Sequence, residues 1–92
     1  MSVLVRLAPP SMTAQQYEQV KSRLEEAGDF PPAGMEYHCC FGTEGNLRVS
    51  EIWASREQFE AFGERLMPAV SEAGLDLSSG PEIIDVYNVI RP

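Results

Sequence analysis

The chain has 92 residues, of which 43% are hydrophobic and 23% are charged, a composition typical of a globular domain and not of a disordered chain. Fourteen acidic and seven basic residues give a net charge of −7, which excludes a basic surface that tracks phosphates. No apolar run approaches the ~18 residues of a membrane span, and the N-terminus lacks the pattern of a signal peptide. We therefore expect one domain over residues 1–92, with neither a nucleic-acid nor a membrane partner.

The two cysteines are neighbours, Cys39 and Cys40. Adjacent strand residues point to opposite faces of a sheet, so a disulfide between them is strained and improbable. They also cannot link distant loops. The cysteine content is therefore typical of a reducing compartment, and we expect a cytoplasmic protein.

The first third of the chain predicts a strand followed by a helix. Side chains at residues 3–7 alternate between core-facing and outward-facing positions, and two prolines follow shortly after. This is the pattern of a short half-buried strand. Thr13 and Gln16 have the spacing of a capping box, in which each side chain satisfies the other residue's backbone N–H. Residues 17–27 carry apolar side chains at spacings of three and four, and Gly28 is suited to end that helix.

The middle of the chain predicts a β-hairpin after a proline-containing loop at residues 29–34. Residues 35–41 and 47–53 have the composition of strands. Residues 42–45, Gly-Thr-Glu-Gly, have the composition of the turn between them.

A second helix is predicted to begin after Ser55, which forms the capping-box spacing with Gln58. Its apolar stripe runs through residues 59–66. Pro68 lacks a backbone N–H, so it either kinks this helix or begins a second short one. Gly74 closes the helical region, and the sequence leaves the role of Pro68 open.

Residues 83–90 are rich in β-branched side chains and predict a last strand. The order βαββαβ indicates an α+β, ferredoxin-like fold, with a four-stranded antiparallel sheet that carries its helices on one face. Apolar character extends to both faces of the sheet, through Tyr37, Phe41, Ile52 and the many apolar residues of the last strand. We therefore expect a sheet-to-sheet homodimer, in which two copies cover these faces.

Three segments resemble a known family: residues 34–38 (GMEYH), residues 48–55 (RVSEIWAS) and residues 59–62 (FEAF). They resemble the dimeric α/β-barrel superfamily, in particular its small antibiotic-biosynthesis-monooxygenase-like branch. The element order covers the whole chain, whereas the specific signature is a strand ending in Trp-x-Ser and followed by two phenylalanines. The resemblance implies a dimeric α/β barrel.

Members of that superfamily include cofactor-independent oxygenases acting on polycyclic phenols, haem-degrading enzymes, polyketide cyclases and proteins without known activity. The haem-degrading members carry an asparagine on the first strand and a tryptophan near the position of Phe62. In this sequence the first strand has no asparagine and Phe62 replaces the tryptophan, so the resemblance favours chemistry other than haem degradation.

His38 is the only histidine. If Gly42 pairs with Gly45, His38 faces Val49 and lies diagonal to Glu51. A neighbouring carboxylate would orient the imidazole as a general base, which makes His38 and Glu51 the candidate catalytic residues. In a cofactor-independent oxygenase such a base would take a phenolic proton, so that the anion reacts with dioxygen. The alternative is a partly exposed structural histidine that is hydrogen-bonded to a neighbour.

Five aromatic residues are candidates for contact with a ligand: Tyr17, Trp53, Phe59, Phe62 and Tyr87. The indole of Trp53 offers a flat surface and an N–H group to an aromatic pocket. The first four also fit a simpler role in the core between helices and sheet. Tyr87 interrupts an apolar strand and would face either a ligand or a dimer interface.

The sequence predicts no cofactor. A zinc site lacks ligands, because the chain has one histidine and one pair of cysteines. No glycine-rich loop precedes a helix, as a phosphate-binding loop would. Three functions remain open: an oxygenase-like enzyme acting on an aromatic or polyketide-like small molecule, a non-catalytic protein that binds a hydrophobic ligand, and a structural dimeric protein.

Overall fold

The computed structural model describes residues 1–92 and contains an antiparallel sheet and two helices. The six elements are β1 (Val3–Leu7), α1 (Ala14–Glu26), β2 (Met35–Thr43), β3 (Asn46–Trp53), α2 (Arg56–Glu72) and β4 (Glu82–Asp85). The strands lie in the order β2-β3-β1-β4, and every neighbouring pair is antiparallel. The α+β, ferredoxin-like βαββαβ fold is thereby confirmed.

Helix α1 begins and ends where the sequence predicts. The Thr13 hydroxyl accepts a hydrogen bond from the Gln16 N–H at 3.1 Å, and the Gln16 side chain accepts one from the Thr13 N–H at 3.0 Å. At the other end, Gly28 adopts a φ of 77°, a conformation that an L-residue rarely takes. The complete capping box fixes the first turn of the helix that carries Tyr17.

Helix α2 has only half of its predicted capping box. The Ser55 hydroxyl accepts from the Gln58 N–H at 3.2 Å, but the reciprocal bond to the Ser55 N–H is not formed. Pro68 lies within α2 on its exposed side, and the helix continues to Glu72 as one element. Proline removes one backbone hydrogen bond. Leu66 and Val70, before and after Pro68, have buried side chains that pack in the core, and these contacts stabilise the helix on both sides of the proline.

The register of the hairpin differs from the prediction by two residues. The strands extend into the expected turn, so that Thr43 pairs with Asn46 across a two-residue turn of Glu44 and Gly45. Gly45 supplies a φ of 82° there, which makes the tight turn possible. As a result His38 lies directly opposite Glu51, and the predicted pairing of His38 with Val49 is wrong.

Pairing of Gly42 with Gly45 would also have placed Glu36 opposite Glu51, but the structure pairs Glu51 with His38. A bulge between Met35 and Tyr37 interrupts the pairing at Glu36, and the exposed Glu36 side chain accepts a hydrogen bond from Ser2 at 3.1 Å. A shift of two residues preserves the alternation of faces, so His38 and Glu51 still share the side of the sheet that faces the helices.

The last strand is shorter than predicted. Strand β4 ends at Asp85, and only the Val86 N–H continues the ladder, with a bond of 3.0 Å to the Ser2 carbonyl. Strand β1 begins at Val3, and Val3 pairs with Asp85. Residues 87–90 therefore extend past the end of β1 and have no strand beside them to pair with. These residues are exposed and irregular despite their high β-propensity.

The core lies between the sheet and both helices. Its most enclosed side chains are Val5, Trp53 and Phe62, which are 0%, 0% and 1% exposed. The opposite face of the sheet carries a row of four residues that are neighbours in register across all strands. This open-face row is Tyr37, Ile52, Leu4 and Ile84. Neither helix has the length and apolar character that crossing a bilayer requires.

Candidate active site

A cavity of about 60 Å³ lies between the sheet and the helix layer. The strands supply its polar residues His38 and Glu51, and α1, α2 and three loops supply most of its apolar lining. Its lining includes Tyr17, Phe30, His38, Glu51, Phe62 and Leu77. Pockets that hold organic ligands usually measure at least ~300 Å³, so the side chains around the mouth must move before a ring-bearing ligand enters.

His38 is held at the wall of this cavity by Glu51. The two residues are opposite each other on β2 and β3, and His38 Nδ1 lies 2.7 Å from Glu51 Oε2. The side chains are 20% and 4% exposed, respectively. Because an ionised carboxylate only accepts hydrogen bonds, Nδ1 carries a proton, and Nε2 of the neutral imidazole is then an acceptor.

The second oxygen of Glu51 is also occupied. The indole Nε1 of Trp53 donates to Glu51 Oε1 at 2.9 Å within the core. Both residues lie on β3 two positions apart, so their side chains share one face. The buried carboxylate is thereby fixed between two donors, as a polar group at that depth requires, and no buried side-chain polar atom in the chain lacks a partner.

Tyr17 contacts the other nitrogen of His38. Its hydroxyl lies 2.7 Å from Nε2, and its ring stacks on the imidazole with centroids 5.9 Å apart. Since Nε2 is the acceptor, the Tyr17 hydroxyl donates to it. Phe30 also packs edge-on against the imidazole, with centroids 5.4 Å apart, so two aromatic contacts and two hydrogen bonds hold the ring of His38.

These contacts form one hydrogen-bonded chain from the cavity to the core: Tyr17, His38, Glu51 and Trp53. A proton that reaches Nε2 creates an imidazolium, which the Glu51 carboxylate stabilises at 2.7 Å. The apolar surroundings strengthen that interaction relative to water. The arrangement is suited to general-base chemistry, in which an oriented histidine accepts a proton from a bound molecule.

The environment raises the pKa of Tyr17 to about 12, mainly because burial disfavours the phenolate, with a further contribution from negative charge at Cys40 and Glu18. The folded-state pKa therefore lies above the value of about 10 for an unfolded tyrosine. The stabilisation that this shift provides is complete below pH ~10 and is lost as the pH rises towards 12.

We expect an alkaline absorbance titration to contain a tyrosine component near 12 that is missing in Tyr17→Phe. Between pH ~10 and ~12 the wild type should lose stability faster than this variant, because the unfolded chain ionises Tyr17 in this range while the folded protein keeps it protonated. The measurement is tyrosinate absorbance together with urea unfolding at each pH. A component near 12 that keeps its full amplitude in Tyr17→Phe would contradict the environment described for this side chain.

The structure brings four of the seven sequence-predicted site residues to the cavity: Tyr17, His38, Glu51 and Phe62. Trp53 does not line it but lies behind Glu51, and Phe59 packs against Trp53 at a centroid distance of 5.5 Å. Tyr87 is fully exposed, at 103%, and lies outside the cavity, because the last strand ends before it.

Phe30 was not among the predicted site residues, although it packs against His38. It lies in an irregular loop with two prolines, and such a segment has no periodicity that would assign its side chains to a face. No group of three or more His, Cys, Asp or Glu side chains is arranged to hold a metal ion.

Comparison with known proteins yields a likeness in fold. No family model matches the sequence, and no curated protein sequence matches it. Among solved structures, the chain is similar to SnoaB, a cofactor-independent oxygenase from Streptomyces nogalater, with a TM-score of 0.57 and 14% identity. The superposition covers 99% of this chain and 96% of SnoaB. The chain therefore has, over its whole length, the fold of a known cofactor-independent oxygenase.

Proposed function

We propose that the protein is a small-molecule enzyme of the cofactor-independent monooxygenase-like type, acting on an aromatic or polyketide-like substrate. The observation that carries this proposal is the His38–Glu51 pair, which lies at the wall of an apolar cavity with the imidazole oriented by a buried carboxylate. The fold shared with SnoaB supports the same chemistry.

In the proposed reaction the His38–Glu51 pair receives an acidic proton from the substrate, and the electron pair of the broken bond stays on the aromatic system. The resulting anion is electron-rich enough to react with dioxygen directly. For a CH₂ group between two rings, one oxygen atom replaces the two hydrogens as a carbonyl, and the other oxygen leaves as water. The protein contributes orientation, a base and an apolar environment.

The volume of the cavity favours a second candidate function. A volume of about 60 Å³ accommodates a few water molecules and lies below the ~300 Å³ of usual ligand sites, as expected for a structural dimeric protein that binds no small molecule. Phe30, Leu75 and Leu77 are partly exposed residues from two of the three loops that line the cavity. Substrate entry in the proposed enzyme therefore requires these loop side chains to move.

Oxygen uptake with a panel of polycyclic phenols and anthrones tests the proposal. We expect oxygen-dependent product with the wild type and a loss of about 10²–10⁴ in kcat with His38→Ala, because general-base catalysis contributes factors of this size. Far-ultraviolet circular dichroism of both proteins controls for folding. Absence of product from a folded wild type, or equal turnover by His38→Ala, would contradict the assignment.

A homodimer is also proposed, in which two copies pack their sheets against each other. The open-face row provides the contact: Tyr37 and Ile84 are 49% and 43% exposed, and Leu4 and Ile52 lie between them in register. An apolar row on a sheet face without helices is the kind of surface that a symmetric partner covers.

Light scattering at micromolar concentration should give the mass of a dimer for the wild type and of a monomer for Ile52→Lys, because the charge would be buried in the contact. Met67→Lys is the matched control, since Met67 is an exposed apolar residue of α2, in the helix layer. A monomeric wild type, or equal dissociation by both variants, would contradict the sheet-to-sheet contact.

A further inference from the structure

His38 has no free ring nitrogen in the cavity. Nδ1 is bound to Glu51 and Nε2 to Tyr17, each at 2.7 Å. The Tyr17 hydroxyl uses its only proton in the bond to Nε2, so its oxygen retains an accepting lone pair. Tyr17 also lines the cavity and is more exposed than Glu51, whose side chain is 4% exposed.

We propose that Tyr17 is the catalytic residue that contacts the substrate, and that it passes the substrate's proton to His38. This assignment rests on the proposed function and extends it. In it, Glu51 is a positioning residue for His38, and His38 is the final proton acceptor. The substrate class is an aromatic molecule with an acidic C–H or O–H group directed at the Tyr17 hydroxyl.

The transfer balances without any oxidant. The substrate's C–H or O–H bond breaks, its electron pair remains on the substrate anion, and the proton forms a bond to the Tyr17 oxygen. The original Tyr17 proton moves along the 2.7 Å hydrogen bond to His38 Nε2. Tyr17 is a neutral phenol before and after the step, and His38 becomes an imidazolium beside Glu51.

The surroundings of Tyr17 favour a concerted double transfer over a stepwise one. Burial holds the pKa of its hydroxyl at about 12, so a phenolate is disfavoured as an intermediate. The stacked rings and the 2.7 Å contact keep the donor and acceptor within hydrogen-bond distance. Direct attack by His38 would instead require the substrate to displace the Tyr17 hydroxyl from Nε2.

The experiment isolates the proton step from the oxygen chemistry. Anthrone is incubated without oxygen in D₂O, and deuterium incorporation at its CH₂ carbon is followed by NMR as a function of anthrone concentration. Wild type, Tyr17→Phe, His38→Ala and Tyr37→Phe are compared. Tyr37→Phe is the matched control, because it removes a hydroxyl from the opposite face of the sheet.

We expect Tyr17→Phe and His38→Ala each to lower kcat for exchange by about 10²-fold or more. For Tyr17→Phe, KM should change less than about threefold, since phenylalanine keeps the ring that packs in the cavity. Tyr37→Phe should exchange as the wild type does. This pattern separates proton transfer from a structural role, which would alter KM or folding instead.

Two results would overturn the assignment, and they are distinguishable. Exchange by Tyr17→Phe at the wild-type rate or faster, with His38→Ala inactive, would mean that the substrate reaches His38 directly, and the proposed function would stand. Absence of exchange above the uncatalysed rate with wild-type protein, together with absence of oxygen uptake, would overturn the proposed function and this assignment with it.

Discussion

Replacing Trp53 with alanine is expected to lower the free energy of unfolding by about 3–5 kcal/mol. The indole is 0% exposed and packs against Phe59 and Phe62, each with ring centroids 5.5 Å away. Its removal leaves a cavity in the centre of the core. It also deprives the buried Glu51 of the donor that satisfies Oε1.

Urea unfolding followed by circular dichroism measures this effect, since Trp53 is the only tryptophan and fluorescence would be lost with it. Trp53→Phe is the matched comparison: it keeps much of the ring volume but removes the N–H group, and should cost about 1–3 kcal/mol. A change below about 1 kcal/mol in Trp53→Ala would contradict the position of the indole in the core.

Replacing Glu51 with glutamine is expected to lower kcat by about 10²–10⁴-fold while the protein stays folded. Trp53 Nε1 can only donate, so the glutamine carbonyl must face it and the amide NH₂ must face His38. Nδ1 then becomes the acceptor, and the proton moves to Nε2. In catalytic triads the same amide substitution selects the wrong tautomer and costs about 10⁴-fold.

The measurement is turnover of the best substrate of the oxygen-uptake panel, together with the ¹⁵N spectrum of the His38 ring. Glu36→Gln is the control, because Glu36 is an exposed carboxylate two residues before His38 and contacts Ser2. Turnover by Glu51→Gln within about tenfold of the wild type, with the tautomer reversed, would contradict the base assignment.

Most of the fold could be predicted from local signals. Each of these signals lies within a few residues of chain. The alternation of residues 3–7 marks strand β1, the capping box at Thr13 marks the start of α1, and the positive φ at Gly28 marks its end. The end of β4 could not be predicted, because it depends on where β1 begins in the register and not on the β-propensity of residues 87–90.

The candidate site was predicted in part. Two-residue alternation is sufficient to place His38 and Glu51 on one face, but the turn of Glu44 and Gly45 makes them direct partners. The bond between Tyr17 and His38 joins a helix to a strand across 21 positions. No spacing rule in a sequence specifies such a contact, which follows from how α1 packs on the sheet.

The most direct measurement of the proposed base is the ionisation of a bound phenol. 4-Nitrophenol absorbs differently as phenol and phenolate, and its single ring needs less opening of the cavity than a polycyclic compound does. It is titrated into wild type and His38→Ala without oxygen, below the pH at which the free phenol ionises. The ring ¹⁵N signals of His38, the only histidine, are recorded in parallel.

We expect the probe to bind the wild type as phenolate while His38 becomes an imidazolium, because the proton moves through Tyr17 to Nε2 and Glu51 stabilises the charge. His38→Ala should bind it as the neutral phenol. A bound probe that stays neutral in the wild type, or that ionises equally in His38→Ala, would contradict the role of His38 as the base.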